Sequence, residues 1–573
     1  MRHLAGRGAA PGVALAPAAV VRIAPVTDDR PSGEPDEERA RLDEALSRSA
    51  EQLRDLAGRV AAELGEEEGE IFEAHAAFAA DPELASRARS AVSEGRSASA
   101  AVTEAFEGFR ELLEASDSEY LAARAADLND VRDRVLALLG GGSIEVEPPN
   151  QASVIVAHEL SPSQTASIPR EVIAALVTET GSPTSHAAIL ARSLGVPAAV
   201  GVSGIVELAT DGVLVAVDGH TGEVIVEPDA SERERLQERL AAEARRRQEL
   251  EALKDEPGQT ADGHRVEVAA NIGSEQDLRS AADAGAEGAG LVRTEFLYLD
   301  RERAPDIDEQ AAFVEQALRA FPGQRVVVRT LDVGADKPLP FVARDEEPNP
   351  ALGLRGIRLS LAQQTLFRDQ LRALLAARDT VGDDGGRLAI MFPLVSLPAE
   401  LSEARRHLEE VAEEEGHDLD GLEVGVMVET PAAALAAGAL AELGDFLSIG
   451  TNDLLQYLFA ADRLNADVAG LADVAEPFVL RLIGDVVASA HEAGVWVGVC
   501  GEAASDPDIA AVLVGLCVDE LSMTGAAVPE VKARLRALTH DACRDIASTV
   551  LELPDAAAVR AAVTRALHDS REA

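Results

Sequence analysis

Eight short apolar segments, most of them followed by sequence of helical character, occupy the chain from Val266 onward. They are Val266–Ile272, Gly290–Val292, Val326–Val328, Leu388–Phe392, Val424–Val428, Phe446–Ile449, Val495–Val499 and Glu520–Ser522. Short apolar runs of this kind are typical of buried parallel strands, and eight strand–helix repeats over about 300 residues predict a closed (β/α)8 TIM barrel. Because the chemistry of such barrels sits where the strands end, the residues that follow these segments are candidates for a site.

Polar or charged side chains lie at or just beyond the ends of most of these segments. They are Asn271, Arg293, Arg329, Glu429, Asn452 with Asp453, Cys500 and Ser522, and two further arginines, Arg355 and Arg463, lie in loops of the same region. A barrel that served only as a scaffold would not place so many such side chains at equivalent positions. We therefore predict a functional site at the carboxyl end of the barrel.

The side-chain types at this barrel mouth indicate the kind of ligand. Several guanidinium groups together predict a multiply charged anion, because arginine binds phosphate and carboxylate through paired hydrogen bonds. The carboxylates of Glu429 and Asp453 suit a hard divalent cation, Mg²⁺, that bridges to substrate oxygens. Cys500 is either an inert buried thiol or a proton donor or acceptor. The chain has no Ser-His-Asp spacing, no zinc-type cluster, no dinucleotide fingerprint and no P-loop, so ATP and NAD are not indicated.

Charge and composition limit the partners. The formal net charge is −49 at pH 7, which argues against nucleic acid or an anionic membrane and favours basic protein partners. No uninterrupted apolar run of about 18 residues predicts a membrane span. Charged residues and prolines interrupt the first part of the chain, so we expect a cytoplasmic protein. The three cysteines are too widely spaced for a disulfide framework or a metal knuckle.

The chain before the barrel divides into three patterns. Residues 1–28 predict one or two short strands, residues 29–142 a helical bundle broken at Gly65, Asp81-Pro82 and Gly95, and residues 143–228 alternating strands and helices. We assign 1–28 and 143–228 to one α/β domain with 29–142 inserted into it. Residues 229–258 predict a charged linker helix, and residues 259–573 form the barrel domain.

His186 lies where the loop that begins at Thr180 runs into a short predicted helix. Thr184 or Ser185 is placed to cap this helix, and Gly195 followed by Pro197 predicts its end. Unpaired backbone amides and the positive end of the helix dipole favour an anion beside the imidazole. Taken alone, the stretch favours a histidine that only helps to cap a helix, since one histidine at a helix start is common. The anion site predicted in the barrel favours a histidine that carries a phosphoryl group.

The motifs around these residues match a known family over nearly the full length. The chain resembles enzyme I of the bacterial phosphoenolpyruvate:sugar phosphotransferase system, the phosphoenolpyruvate–protein phosphotransferases. The resemblance rests on residues 181–198, 285–296, 328–332, 425–431, 448–454 and 500–502, which occur in the family's order. It implies that phosphoenolpyruvate phosphorylates His186 and that Cys500 protonates the resulting enolate to pyruvate. It further implies roles for seven more residues: substrate binding by Arg293, Arg329, Arg355, Asn452 and Arg463, and Mg²⁺ binding by Glu429 and Asp453.

The resemblance also implies partners. The phosphoryl group would pass to the small phosphocarrier protein HPr, docked on the helical insertion, where residues 70–75 and 124–128 look like that domain's. The family is homodimeric through its barrels and serves sugar uptake. Since His186 and the barrel mouth belong to different domains, we hypothesise that the α/β domain swings between the barrel and the carrier.

Four positions depart from the family's usual sequence. Ser182 replaces the second of two glycines before Thr-Ser-His and Pro183 follows it, while Ala335 and Leu464 stand where glycine is usual. None of these departures removes a proposed site residue. Two alternatives remain at this point. A dikinase or phosphoenolpyruvate synthase relative is expected to carry a nucleotide-binding domain, and a non-catalytic regulatory paralogue that binds phosphocarrier proteins is expected to have lost site residues.

Overall fold

The computed structural model describes residues 1–21, 33–63, 66–114, 127–141, 148–183, 185–299, 301–334, 339–342, 347–465 and 467–572. The chain forms two compact units, Met1–Arg245 and Arg246–Ala573. Hydrophobic clusters of buried residues lie within each unit. None of the helices in the described ranges is long and apolar enough to cross a membrane.

A helical bundle makes up much of the first unit. Its helices are Pro35–Glu63, Glu66–Ala79, Pro82–Ser93, Ala98–Glu114 and Asp127–Leu139. The third helix begins as predicted, because the Asp81 side chain accepts the amides of Glu83 and Leu84 and Pro82 needs no donor at the first position. Apolar residues at helical spacing fill the bundle core, with Phe72 fully buried. Gly65 and most of the predicted stretch 124–128 lie outside the described residues.

The first unit also contains an eight-stranded sheet. Its strands are β1 (Arg2–Ala5), β2 (Arg7–Ala10), β3 (Val13–Val21), β4 (Ser153–Ala157), β5 (Ile173–Thr178), β6 (Ala198–Val200), β7 (Leu214–Asp218) and β8 (Glu223–Val226). Their order in the sheet is β1-β8-β7-β3-β4-β5-β6-β2. The strand β3 pairs parallel with β4 and antiparallel with β7, so strands from both sides of the helical segment share one sheet.

The start of the chain forms three strands, so the prediction of one or two was wrong. Gly6 and the Pro11-Gly12 pair interrupt the extended run, and Gly12 adopts a φ of 120° that favours glycine. The remaining helices of the unit are Pro162–Ser167, His186–Ser193 and Ile205–Leu208, and the charged helix Ala230–Glu251 follows the last strand as predicted.

The second unit contains a closed barrel of eight parallel strands. These are β9 (Glu267–Ile272), β10 (Gly288–Val292), β11 (Arg325–Arg329), β12 (Arg387–Phe392), β13 (Glu423–Val428), β14 (Phe446–Ile449), β15 (Trp496–Val499) and β16 (Glu520–Met523). Neighbours in sequence are neighbours in the barrel, and β16 pairs with β9 to close it. The predicted TIM barrel is therefore confirmed, and every strand lies within two residues of its predicted bounds.

Helices alternate with the barrel strands and cover them. They are Glu275–Asp283, Ile307–Ala320, Ile357–Ala362, Gln364–Val381, Pro398–Glu415, Pro431–Leu435, Ala437–Ala441, Thr451–Phe459, Pro477–Glu492, Pro507–Gly515, Val528–Arg536, His540–Val550 and Ala556–Glu572. Their apolar faces and the strands form one continuous buried cluster. A smaller cluster that includes Leu291, Met427 and Cys500 fills the barrel interior.

Charged side chains lie at the amino-terminal end of the barrel strands. Arg325 donates to Glu267 at 2.8 Å and to Glu423 at 2.9 Å, and its guanidinium lies 3.9 Å from the ring centre of Trp496. Glu520 is 1% exposed, and neither of its carboxylate oxygens has a hydrogen-bond partner among the described residues. Burial, and then the charge of Glu267, raises the pKa of Glu520 to about 8.

Candidate active site

A cavity of about 460 Å³ lies at the carboxyl end of the barrel strands. The eight barrel residues predicted from the sequence to act on substrate or metal all line it: Arg293, Arg329, Arg355, Glu429, Asn452, Asp453, Arg463 and Cys500. They converge because parallel barrel strands end at one rim, so residues far apart in the chain reach the same space. The predicted site at the barrel mouth is therefore present as a single cavity.

Arg329, the last residue of β11, is held by two buried carboxylates. Its Nη2 donates to Glu295 Oε1 at 2.9 Å, and its Nη1 lies 3.1 Å from Asp332 Oδ2. Burial alone would lower the pKa of Arg329, but Glu295 and Asp332 more than offset this and raise it above its ordinary value. The guanidinium is therefore charged and fixed in orientation before any ligand arrives.

Arg355, in the loop after Gly353, also contacts the carboxylate of Asp332. Its Nη2 lies 3.0 Å from Asp332 Oδ2, and its Nη1 lies 3.4 Å from Asp453 Oδ1 and donates to the Tyr457 hydroxyl at 3.1 Å. Asp332 and Asp453 raise the pKa of Arg355 in spite of its burial. Asp332 thus bridges the two arginines Arg329 and Arg355.

Arg293 and Arg463 are the exposed arginines of the cavity. Arg293 follows β10, where its backbone amide donates to Ile272 O at 2.8 Å. The backbone amide of Arg463 donates to the Gln456 side chain at 3.2 Å. Neither guanidinium forms an ion pair with any residue in the described ranges. Both are available to an anionic ligand, whereas Arg329 and Arg355 are already paired.

Asp332, Glu429 and Asp453 form a buried carboxylate cluster. Each offers an oxygen that lies within 4.8 Å of the other two. Burial, and then the charges of Asp332 and Asp453, raises the pKa of Glu429 to about 8. Carboxylate oxygens are the ligands that hard divalent cations prefer, and a cation here would relieve the repulsion that Glu429 experiences. The residues therefore fit a divalent metal ion, and Glu429 and Asp453 are the two that the sequence predicted.

Asn452 links the ends of two strands. It lies in the first turn of the helix that follows β14, and its Nδ2 donates to Glu502 Oε1 at 3.0 Å while Glu502 N donates to Asn452 Oδ1 at 3.0 Å. Gly501 between them leaves no room for a side chain, since a Cβ atom would lie 1.8 Å from Thr451 Oγ1. The Cys500-Gly501-Glu502 segment is thereby packed closely against the start of this helix.

Cys500 follows β15 and is 3% exposed. Its thiol lies 3.7 Å from the carbonyl oxygen of Ile449, to which it can donate. Asn271 Nδ2 donates to the carbonyl oxygen of Cys500 at 3.0 Å, and Ser522 Oγ donates to Asn271 Oδ1 at 2.8 Å. Burial raises the pKa of the Cys500 thiol to about 11, so the thiol keeps its proton at neutral pH. A protonated thiol at the cavity wall has the form that a proton donor requires.

His186 belongs to the first unit and is the first residue of the helix His186–Ser193. The Ser185 side chain accepts the amide of Ala188, which confirms the predicted helix start. Two side chains hold the preceding loop: Thr178 Oγ1 donates to Thr180 O at 2.7 Å, and Arg192 Nη1 donates to Pro183 O at 2.8 Å.

Two residues that line the cavity, and two that hydrogen bonds connect to Cys500, were given no role by the sequence. Glu295 and Asp332 are two and three residues beyond the predicted arginines Arg293 and Arg329, within or beside the motifs quoted for the family resemblance. An acidic residue two or three positions after a predicted arginine could have indicated an ion pair. Because acidic residues are abundant throughout this chain, such spacing does not single out Glu295 or Asp332. Asn271 and Ser522 were placed at strand ends, yet their link to Cys500 depends on barrel closure between β16 and β9.

Comparison with known proteins identifies the class. Three family models of phosphoenolpyruvate (PEP)-utilising enzymes match the chain: the N-terminal domain over residues 5–124, the mobile domain over residues 149–222 and the PEP-binding domain over residues 247–540.

Similar proteins of known name identify the family within this class to which the chain belongs. A phosphoenolpyruvate-protein phosphotransferase of Haloferax volcanii is 44% identical over 530 residues, which cover 92% of each chain. Enzymes of the same name from Staphylococcus carnosus and Bacillus subtilis are 40% and 39% identical over 562 residues, covering 96% of this chain and 96% and 97% of theirs. The chain therefore belongs to the phosphoenolpyruvate-protein phosphotransferase family. This membership confirms the resemblance inferred from the motifs and the prediction of an enzyme.

Proposed function

We propose that this chain transfers the phosphoryl group of PEP to His186, releases pyruvate, and passes the phosphoryl group to the carrier protein HPr as the first step of sugar uptake. The observation that carries the proposal is the single cavity in which four arginines, a carboxylate cluster and a buried thiol meet. The printed name of the relatives describes the same kind of transfer from phosphoenolpyruvate to a protein.

The arginines bind the substrate. The exposed guanidinium groups of Arg293 and Arg463 have no competing ion pair in the described part of the chain, and Arg329 and Arg355 are already oriented. Together with Asn452 they hold the phosphate and the carboxylate of PEP through charge-assisted hydrogen bonds. Fixed positive charge around a transferring phosphoryl group accounts for much of the catalysis of such reactions.

Glu429 and Asp453 hold Mg²⁺. This ion, when bound, neutralises charge on the phosphate and carboxylate oxygens of PEP. Support comes from the oxygen-only donor set and from the like-charge repulsion that raises the pKa of Glu429. Removal of the Glu429 proton is therefore part of preparing the site.

The transfer itself needs one nucleophile and one acid. A neutral imidazole nitrogen of His186 attacks phosphorus, the bond between phosphorus and the enolate oxygen breaks, and a nitrogen–phosphorus bond forms. The enolate carbon then takes the proton of the Cys500 thiol to give pyruvate, and the thiolate regains a proton from water. The raised pKa of Cys500 supports this order, because the thiol is still protonated when the enolate forms.

The domains follow from this scheme. Residues 1–28 and 143–228 are the phosphohistidine domain, residues 29–142 dock HPr, residues 229–258 link them to the PEP-binding barrel, and residues 259–573 also form the homodimer contact. His186 is in one compact unit and the cavity is in the other, so the two must meet during transfer. The hinge proposed from the sequence comprises the linker helix Ala230–Glu251, which spans the boundary between the units, together with the segments around residues 140–152 and 257–263, of which residues 142–147 lie outside the described residues. The reaction takes place in the cytoplasm.

Labelling tests the proposed function. Wild type and His186→Ala are incubated with PEP that carries labelled phosphate, in the presence of Mg²⁺, and then with HPr. We expect acid-labile label on the wild type alone and its removal by HPr. An unlabelled wild type contradicts the proposed activity, whereas label on His186→Ala contradicts only the choice of nucleophile.

A crosslink tests the hinge. Disulfide-locking the α/β domain to the helical bundle should prevent loading from PEP and leave the protein folded. Normal loading of the locked protein would show that no swing of this domain is needed.

A further inference from the structure

Asp332 is the carboxylate through which the two paired arginines of the cavity are connected. We propose that Asp332 is a positioning residue that holds Arg329 and Arg355 ready for the phosphate and carboxylate of PEP, and that it is not a ligand of the metal ion. This role rests on the proposed function, because it assigns a task within the PEP site.

The contacts of Asp332 are directed at guanidinium groups. Its Oδ2 lies 3.1 Å from Arg329 Nη1 and 3.0 Å from Arg355 Nη2. Its Oδ1 accepts more weakly from the Nη2 and Nε of Arg355, at 3.3 Å and 3.4 Å. Both carboxylate oxygens therefore serve arginines, and a metal ion would have to displace these bonds in order to be ligated by Asp332.

Glu295 fixes the positions of both Asp332 and Arg329. Its Oε1 accepts both the backbone amide of Asp332, at 3.1 Å, and Arg329 Nη2, at 2.9 Å. Both acids are buried. The chain of contacts from Glu295 through Arg329 and Asp332 to Arg355 consequently fixes two long side chains that would otherwise sample many rotamers. Ordering those side chains in advance spares the substrate the entropy cost of doing so.

Glu429 and Asp453 differ from Asp332 in this respect. Glu429 Oε1 accepts the backbone amide of Leu394 at 2.6 Å, and no arginine lies within ion-pair distance of it in the described part of the chain. Asp453 meets one guanidinium, at 3.4 Å. The cluster of three acids thus divides into two carboxylates open to a cation and one occupied by arginines.

Two measurements on three variants separate these roles. Mn²⁺ binding is followed by electron paramagnetic resonance without PEP, and PEP binding is followed by calorimetry at saturating metal. The variants are Asp332→Asn, Asp453→Asn and the matched control Asp462→Asn. Asp462 lines the same cavity and is acidic, but among the described residues its side chain accepts the backbone amide of Leu464 alone, at 2.9 Å.

For Asp332→Asn we expect PEP affinity to fall by about ten- to a hundredfold, the size of a lost charge-assisted hydrogen bond, with Mn²⁺ affinity within about twofold of the wild type. Asp453→Asn should weaken Mn²⁺ binding strongly. Asp462→Asn removes the same charge without disturbing an arginine, so its PEP affinity should equal or exceed that of the wild type. Should Asp332→Asn fail to fold, Asp332→Ser takes its place.

Three results would overturn the positioning role. They are a loss of Mn²⁺ affinity in Asp332→Asn that matches Asp453→Asn, unchanged PEP affinity in Asp332→Asn, or an equal loss of PEP affinity in Asp462→Asn. Labelling of the wild type by PEP is the reference. If the wild type takes no label, the proposed function fails first; if it does, these results bear on Asp332 alone.

Discussion

The side-chain amide of Asn271 donates a hydrogen bond to the carbonyl oxygen of Cys500 at 3.0 Å. This bond joins the end of β9 to the end of β15, and Ser522 on the intervening strand β16 orients the amide by donating to its oxygen. The backbone that carries the proposed acid is thus held from across the seam that closes the barrel.

Loss of this bond should affect protonation more than substrate binding. We expect Asn271→Ala to slow pyruvate formation by about three- to tenfold, the effect of one neutral hydrogen bond, while PEP affinity changes little. Stopped-flow measurement of pyruvate release and calorimetric PEP binding check this. Ser522→Ala leaves the bond between Asn271 and Cys500 in place, so it should slow pyruvate formation less than Asn271→Ala does. If Asn271→Ala lowered PEP affinity as much as it slowed pyruvate formation, the cavity as a whole would be disrupted and the prediction would be wrong.

Removal of the thiol should have a larger effect. Cys500→Ala is expected to reduce pyruvate formation far more than PEP binding, because the enolate then has no placed acid. Since burial raises the pKa of Cys500 to about 11, the alkaline limb of the wild-type rate should not reflect this thiol between pH 6 and pH 9. The free thiol Cys517 offers a control, and Cys517→Ala should leave both quantities unchanged. An unchanged rate in Cys500→Ala would make Cys500 an inert core residue.

Metal stabilisation should grow with pH. The pKa of Glu429 in the folded protein is about 8, above its ordinary value of 4.5, so the folded state binds more protons than the unfolded chain between these values. The contribution of Glu429 to the free energy of unfolding of the metal-free protein therefore falls as the pH rises from about 4.5 to about 8. A divalent cation competes with the proton, and Mg²⁺ should raise the melting temperature more at pH 8.5 than at pH 6.

The control for this pH dependence is Glu429→Gln. The variant cannot titrate at this position and should show little metal effect at either pH. Equal shifts in the wild-type melting temperature at both pH values would contradict the assignment of Glu429 as a ligand that must lose its proton.

Glu520, at the amino-terminal end of the barrel strands, tests how the ionisation of a buried carboxylate affects the stability of the protein. Its pKa of about 8 also lies above the ordinary value, and ionisation leaves a buried charge whose nearest cation, Arg325, is 3.7 Å away. Glu520→Gln should therefore stabilise the protein by about 1–3 kcal/mol at pH 9 and by less at pH 5, where the native carboxyl keeps its proton. Thermal unfolding at the two pH values measures this. Glu423→Gln, which removes a direct partner of Arg325, should destabilise instead.

The sequence was sufficient to predict the barrel and eight of the residues that line the cavity at its mouth. Buried parallel strands give uniform apolar runs, and the polar residue that ends such a run stands out, as Arg329 and Glu429 do. The ion-pair partners of the arginines could not be predicted from such apolar runs. An arginine in an acidic chain has many possible partners, and the choice of Asp332 for both Arg329 and Arg355 depends on loops that meet only after barrel closure.

The start of the chain shows a different limit. Small residues such as Ala and Gly carry a weak strand signal, and the number of strands before the helical segment was underestimated. The cap at Ser185, by contrast, depends on local geometry, and the residue types predicted it correctly.

The cavity has a consequence for the order in which ligands arrive. Six carboxylates and four guanidinium groups among the described residues line it, which leaves an excess of two negative charges above the pKa of about 8 of Glu429, where all six carboxylates are ionised. In that ionised state the net negative charge of the empty site disfavours a trianion, and a divalent ion cancels the excess. We expect an obligatory sequence in which the cation enters first, so that the concentration of free cation sets how much PEP the enzyme can capture.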